Sequence, residues 1–267
     1  MMRYILNLFL GALLLLSCGG KDKAEPPLSS SKKLVTLTYN IHHGAPESSS
    51  IVNLENIAAV IRKSGAELVA LQEVDVNVPR SGNVNQAAEL AKLLDMHYFF
   101  SKSIDYSGGE YGVAILSKYP LTNTRKELLP MPTSGEQRSV AIASVNLPGD
   151  VSVEFASTHL DLNVPNRTAQ AERLNAISIA LNKPFFVGGD YNAIPTSSEM
   201  MKLKEEFNLS CLNTCPFSFP VRNPNKAIDF VAFNKKAAVQ FTLVAANAMA
   251  GEYASDHLPV VAVFNYK

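Results

Sequence analysis

Long apolar runs are scarce in this chain of 267 residues. The one that opens it, Ile5 to Leu16, has 12 residues with Asn7 inside it. A bilayer-spanning helix needs about 20, so this run is too short to be one. Behind Arg3 it fits the apolar core of a secretory signal. An excess of either charge is missing too: 24 Lys and Arg stand against 24 Asp and Glu. Proteins that grip long nucleic acid by its phosphates usually carry a basic excess on one face. The balance weighs lightly against that class and leaves room for a local patch. Cysteine is sparse, with three in all. Cys211 and Cys215, without further Cys or nearby His, make a poor zinc site. Outside the cytoplasm they form either a disulfide or two free thiols. There is no internal repeat and no second linker.

The end of the opening run carries a signal of its own. Leu15-Leu16-Ser17-Cys18 resembles the lipobox of bacterial lipoproteins, in which cleavage leaves the cysteine as a lipidated N-terminus. A plain signal peptide or an anchored helix are the alternatives. "GGKDKAEPPLSSSKK" then reads as a tether, too polar to bury a core. The expected organisation is a signal peptide over 1–17, a tether over 18–33 and one domain over 34–267. The mature chain of 250 residues is ample for a core. The expected place is the bacterial cell envelope, with a monomer held to the membrane through lipid on Cys18 and facing the periplasm or the cell surface.

Strand-like and helix-like segments alternate. "LVTLTYN", "AELVALQEVD", "YGVAILS", "VAIASVNLP", "VSVEFASTHL", "PFFVGGD", "AIDFVAF", "AVQFTLVAA" and "LPVVAVFNY" read as strands. "NLENIAAVIRKSG" places Leu54, Ile57, Ala58 and Ile61 at helical spacing, with Asn53 as N-cap and Gly65 as terminator. "NQAAELAKLLDM", "NRTAQAERLNAISIALN" and "SSEMMKLKEEF" read as further helices. In the third of these four helices Leu174, Ile177, Ser178 and Leu181 share a face. The mixture of βαβ units and adjacent strands predicts large mixed sheets with helices outside.

Unexpected polar groups fall at the strand ends. Asn40 ends the first strand, and Gln72 with Glu73 come directly after "ELVAL". His159 ends "VEFAST", while Asp190 and Asn192 come after "FFVGG". Asp256 and His257 precede the last strand. Each has an ordinary reading, as a turn cap, a solvated strand end or a hydrogen-bonded core histidine. Asp229, in the apolar "AIDFVAF", is harder to dismiss, because a buried carboxylate needs a partner. Sheet-end loops are where a rigid scaffold presents reacting groups.

Seven segments, "TYNIHHG", "LQEVD", "YGVAILSKYP", "STHLD", "GGDYN", "AIDFVAF" and "SDHLPV", span Thr38 to Val260 in a fixed order. Together they resemble the endonuclease/exonuclease/phosphatase superfamily of metal-dependent phosphoesterases. The resemblance implies a four-layer α/β/β/α sandwich, two mixed β-sheets face to face with helices outside and a site at one sheet edge. It implies that Gly188 and Gly189 let the backbone turn sharply, so that Asp190 and Asn192 face the phosphate. Asp190 would orient or deprotonate the attacking water, and Asn192 would donate to a phosphoryl oxygen. Glu73, Asn40 and Asp256 would hold the metal. An oxygen-rich site of this kind favours Mg²⁺ or Mn²⁺ over Zn²⁺. His257 would act as base or imidazolium with Asp229 fixing its tautomer, and His159 would be the second imidazole, with Glu110 as its partner.

The chain departs from one branch of that family. It has no tryptophan, and Ala193-Ile194-Pro195 comes after Asn192, which disfavours the inositol-phosphate phosphatases. Arg80 in "VPRSG" and Arg138 in "GEQRSV" are candidates to bind substrate phosphate, or structural arginines. The substrate would be a nucleic acid, a phospholipid headgroup or a small phosphoester. The alternative is a non-catalytic lipoprotein that keeps the fold to bind a ligand.

Overall fold

The computed structural model describes Met1 and residues 31–267. The signal segment, the lipobox at Cys18 and the tether as far as residue 30 lie outside the described residues. Among the described residues no helix is long and apolar enough to cross a membrane.

The chain builds two six-stranded sheets. The first holds β1 (Lys32–Asn40), β2 (Leu68–Val76), β3 (His97–Tyr106), β4 (Gly109–Ser117), β11 (Phe241–Ala248) and β12 (Val260–Tyr266), in the order β11-β12-β1-β2-β4-β3. The second holds β5 (Leu121–Leu128), β6 (Ser139–Leu147), β7 (Val151–His159), β8 (Phe185–Asp190), β9 (Phe207–Leu209) and β10 (Asp229–Asn234), in the order β5-β6-β7-β8-β10-β9. Lys32 and Lys33, expected in the tether, already belong to β1.

Three apolar clusters make four layers. Between the sheets Leu34, Ala70, Ile115 and Phe264 of the first meet Phe155 and Phe186 of the second. On one outer face α1 (Leu54–Ser64) and α2 (Gln86–Leu94) bury Ile57, Ile61 and Leu90 against Leu37, Leu71 and Leu116. On the other, α3 (Val164–Leu181) and α4 (Ser198–Leu203) bury Leu174, Ile177 and Met200 against Phe185, Val187 and Phe230. The fold is the α/β/β/α sandwich, with both sheets mixed.

Local chemistry accounts for most boundaries. Asn53 Oδ1 accepts from Asn56 N to open α1, and Gly65 closes it at φ 68°. Asn234 accepts from Ala237 N and opens α5 (Lys235–Gln240), so the segment expected as one strand from Ala238 begins as a helix and becomes β11 only at Phe241. The edge strands β3 and β5 have mixed exposure and lack a clear apolar period. Cys211 and Cys215 are joined as a disulfide.

"GGDYN" does not turn where expected. Gly188 and Gly189 lie inside β8 and neither has a positive φ. The glycines make room instead. A Cβ on Gly188 would sit 2.4 Å from Ala70 Cβ and 3.3 Å from Thr38 Cβ in the facing sheet. The two sheets therefore approach closely just beneath Asp190, and only a residue without a side chain fits there. The left-handed residue is Asn192, at φ 50°.

Gly188→Ala should lower stability by roughly 1–3 kcal/mol through overpacking between the sheets. Urea unfolding should show a lower midpoint at unchanged slope. An unchanged midpoint would mean that the sheets separate freely at this point.

Candidate active site

Topology brings the polar strand ends together. β1 and β2 are parallel, with Asn40 in register with Gln72. β7 and β8 are parallel, with His159 opposite Asp190. β10 runs antiparallel to β8, so its first residue, Asp229, lies opposite β8's last, Asp190. Asp229 thus begins a strand rather than interrupting one. β12 runs antiparallel to β1 with Val260 opposite Thr38, which delivers Asp256 and His257 to the same edge.

Glu73 reaches the site through a bulge. The β2–β4 register shifts between Leu71 and Val74, and Glu73 has φ 58°. A bulge re-aims a side chain that regular pleating would send elsewhere. A non-glycine residue held left-handed stores strain, of the kind that concentrates at functional sites.

Asp190 is the hub. Its Oδ2 accepts from Asn40 Nδ2 at 3.1 Å and lies 3.5 Å from His159 Nε2 and 3.7 Å from His257 Nε2. Its Oδ1 accepts from Asn192 N at 2.9 Å. Asn192 Nδ2 in turn donates to Leu160 O at 2.9 Å and stands 3.0 Å from His159 Nε2. Asn40 Nδ2 also donates to Glu73 Oε1 at 3.0 Å, while its Oδ1 accepts from His42 N. Asn40 therefore turns its amide nitrogen, not its oxygen, to the carboxylates. It bridges Glu73 and Asp190, and the ligand oxygens expected of the trio Asn40, Glu73 and Asp256 come down to the two carboxylates.

His257 and Asp229 form a buried pair, Nδ1 to Oδ2 at 2.9 Å. Ser218 Oγ donates to the same Asp229 oxygen at 2.5 Å, and the Phe219 ring lies 4.7 Å from the imidazole. Ser255 Oγ donates to Asn40 O at 2.7 Å and accepts from His257 N, tying the last loop to β1. Neither Ser218 nor Ser255 stands out in the sequence as a site residue. Ser255 lies inside "SDHLPV", but Ser218 lies 11 residues before its partner with no motif around it.

Electrostatics divides the two histidines. Burial works against the His257 imidazolium, but Asp229 and Asp190 more than offset it, and its pKa is pushed up to about 10. Burial, then the Arg138 charge, hold His159 well below its ordinary value, so it is a neutral imidazole. Burial, then the neighbouring Asp229 charge, push the Asp190 carboxyl up to about 7. Burial also raises Glu73, with Asp256 adding to it against the Asn40 hydrogen bond.

This donor set fits a hard divalent cation. Glu73 and Asp256 are carboxylates whose charges oppose each other, and no thiol is among them. Asp190, Asp229 and His257 also converge, each with a ligand atom within 4.8 Å of the others. Two of these three are already paired to each other, so the trio reads as a dyad facing a carboxylate.

Three expectations change. Glu110 is not the partner of His159: it pairs with Lys102 at 3.3 Å near the β3–β4 turn, and His159 Nδ1 is buried with no partner. Arg80 is not a free phosphate anchor, because Nε and Nη2 bind both oxygens of buried Asp75 at 2.8 and 2.9 Å. Arg138, 6% exposed, pairs through Nη1 with Glu136 at 2.9 Å and keeps a buried Nε without a partner.

Comparison with known proteins gives this geometry a context. Residues 37–257 match the Endonuclease/Exonuclease/phosphatase family. The chain is 24% identical to the Escherichia coli K12 protein YbhP over 243 residues, 85% of this chain and 94% of that one. It resembles the crystal structure of an endonuclease/exonuclease/phosphatase from Beutenbergia cavernae, with TM-score 0.74 and 24% identity over 88% of this chain and 72% of that one. It also resembles a mannosyl-6-phosphatase from Bacteroides thetaiotaomicron, with TM-score 0.68 and 15% identity over 86% of this chain and 99% of that one. With the match covering most of the described domain, the chain belongs to the endonuclease/exonuclease/phosphatase family, whose members are hydrolytic phosphoesterases.

Proposed function

We propose that the site hydrolyses a phosphate ester with a divalent cation, Mg²⁺ or Mn²⁺, held by Glu73 and Asp256. The observation that carries this reading is Asp190 Oδ2, which faces Asn40, His159 and His257 within 3.1, 3.5 and 3.7 Å. When bound, the cation would neutralise charge on the phosphoryl oxygens.

The residues divide the remaining work. A carboxyl with a pKa of about 7 can take a proton near neutrality, so Asp190 accepts it from the attacking water. The new bond joins water oxygen to phosphorus and the bond to the ester oxygen breaks. His257, as imidazolium, donates to the oxygen that gathers charge, and Asp229 keeps its proton arrangement fixed through Nδ1. Asn192 Nδ2 donates one hydrogen to Leu160 O, and the other, shared with His159 Nε2 3.0 Å away, is the donor this pair offers a phosphoryl oxygen. Asn40 holds Glu73 and Asp190 in register.

We also propose that the protein lies at the cell envelope, held to the membrane through lipid on Cys18. Cys18→Ser should move the protein from the membrane fraction to the soluble fraction. A mature N-terminus downstream of Cys18 by mass spectrometry would end that reading.

Hydrolysis of p-nitrophenyl phosphate and bis-p-nitrophenyl phosphate should require Mg²⁺ or Mn²⁺ and stop in EDTA. Glu73→Gln should weaken Mn²⁺ binding in calorimetry and lower kcat, with the far-UV spectrum unchanged. Full turnover in EDTA would remove the cation from the proposal. No turnover under any cation would favour the ligand-binding reading.

His257→Ala should lower kcat/KM by about 10²- to 10⁴-fold, the range of a lost general acid. Asp229→Asn should lose most of the same factor, and the double variant little more, because residues that act as a unit are not additive. Losses that multiply in the double variant would show two independent roles.

A further inference from the structure

Beside Glu73 the surface opens into a cleft of about 160 Å³ lined by Glu73, Arg80, Ile104, Tyr106, Tyr111 and Glu136. It is continuous with the candidate metal carboxylate, yet none of the catalytic roles above uses its other walls. Two irregularities build it. The bulge at Glu73 forms one side. A second register shift, between Lys102 and Ile104 in β3, redirects the arm of the hairpin that carries Ile104 and Tyr106. Gly112 permits this crowding, since a Cβ there would lie 2.1 Å from Ser101 O.

The arginines beside the cleft are already paired. Asp75 is fully buried and grips Arg80 by two hydrogen bonds. The Arg80 guanidinium lies 4.5 Å from the Tyr106 ring centroid and 5.7 Å from that of Tyr111. Arg138 pairs with Glu136. Tyr106 itself is 38% exposed, so an aromatic surface faces solvent at the cleft.

We propose that this cleft is a subsite for the alcohol part of the phosphoester, and that it takes a single neutral hydroxyl-bearing ring, such as a hexose. The inference rests on the phosphoesterase reading of the adjoining site. Size argues for one ring: pockets for drug-sized ligands run from about 300 to 1,000 Å³. Charge argues against a second phosphate or a polyanion. Arg80 and Arg138 each already face a carboxylate, and a further anion would meet the Glu136 side chain, 40% exposed, and Glu73. Hydrogen bonding argues for hydroxyls, which both donate and accept. Arg80 Nη1 has only a long 3.5 Å contact to Tyr106 Oη and can donate to one, the tyrosine hydroxyl can do either, and Glu136 can accept. The apolar face of a sugar ring suits the exposed tyrosine ring.

The test compares glucose 6-phosphate with methyl phosphate, plasmid DNA and sphingomyelin vesicles, in wild type and in Tyr106→Ala, Tyr106→Phe and Glu136→Gln. Tyr106→Ala should raise KM for the sugar phosphate about tenfold or more, the factor given by about 1.4 kcal/mol of lost contact. Its kcat, and both constants for methyl phosphate, whose alcohol part is too small to reach the tyrosine ring, should stay near wild type. Tyr106→Phe keeps the ring and loses one hydroxyl partner, so it should raise KM for the sugar phosphate less than Tyr106→Ala does, and Glu136→Gln should raise that KM more than the KM for the reference monoester. Equal effects on both monoesters, no effect of any variant, or a preference for DNA or vesicles would overturn the subsite. If wild type hydrolyses no phosphoester, the catalytic reading fails by itself. Calorimetric binding of glucose 6-phosphate, weakened by Tyr106→Ala, would then uphold the subsite, and absence of binding would reject it.

Discussion

Everything at the catalytic edge depends on the cost of keeping several carboxylates out of water in one place. Asp190 and Asp229 are both buried, lie opposite each other across β8 and β10, and oppose each other electrostatically. An unpaired buried charge costs several kcal/mol, so such a cluster persists only with cations or protons placed among its members. His257 meets that need for Asp229, and Asn40 meets part of it for Asp190 and Glu73. Burial first, and then the neighbouring carboxylates Asp229 and Asp256, still raise Asp190 and Glu73 above the ordinary carboxylate range. The divalent cation proposed for the site would offset the charge that remains.

The sheets supply the precision. The site residues Asn40, His159, Asp190 and Asp229 sit on strand ends, in registers fixed by pairing along whole strands. The close approach at Gly188 locks the two sheets against each other directly below Asp190. Gln72 Nε2 donates to Ser157 Oγ, which donates to Leu71 O, so a polar bridge also joins the sheets there. Rigid placement of this kind lets groups act without reorganising during reaction.

Much of this is legible in the sequence, for a physical reason. Buried central strands must be apolar, so each polar residue at their ends stands out, as Asn40, His159, Asp190 and His257 do. Asp229 is conspicuous because a carboxylate among apolar neighbours demands a partner, and the partner is His257. What stays hidden depends on distance in space. Ser218 serves Asp229 from an irregular loop, and nothing in "CPFSFP" announces it. The role of the paired glycines is misread from sequence because local rules connect glycine with turns, whereas here the constraint comes from Ala70 and Thr38, more than a hundred residues away.

The arginines show the same limit from the other side. As residue types Arg80 and Arg138 both suit a phosphate, and sequence cannot say whether a guanidinium is already engaged. Arg80 is engaged twice by Asp75, five residues before it, and so becomes a wall rather than a hand. Arg138 keeps a buried, unpartnered Nε and acts electrostatically on His159. One arginine thus shapes the space beside the site, and the other adds to the burial that holds His159 below its ordinary value. A bidentate ion pair removes a guanidinium from the pool of anion receptors while fixing its plane in space. The chain uses that plane to support Tyr106, so an interaction that would look purely structural becomes the floor of a binding surface.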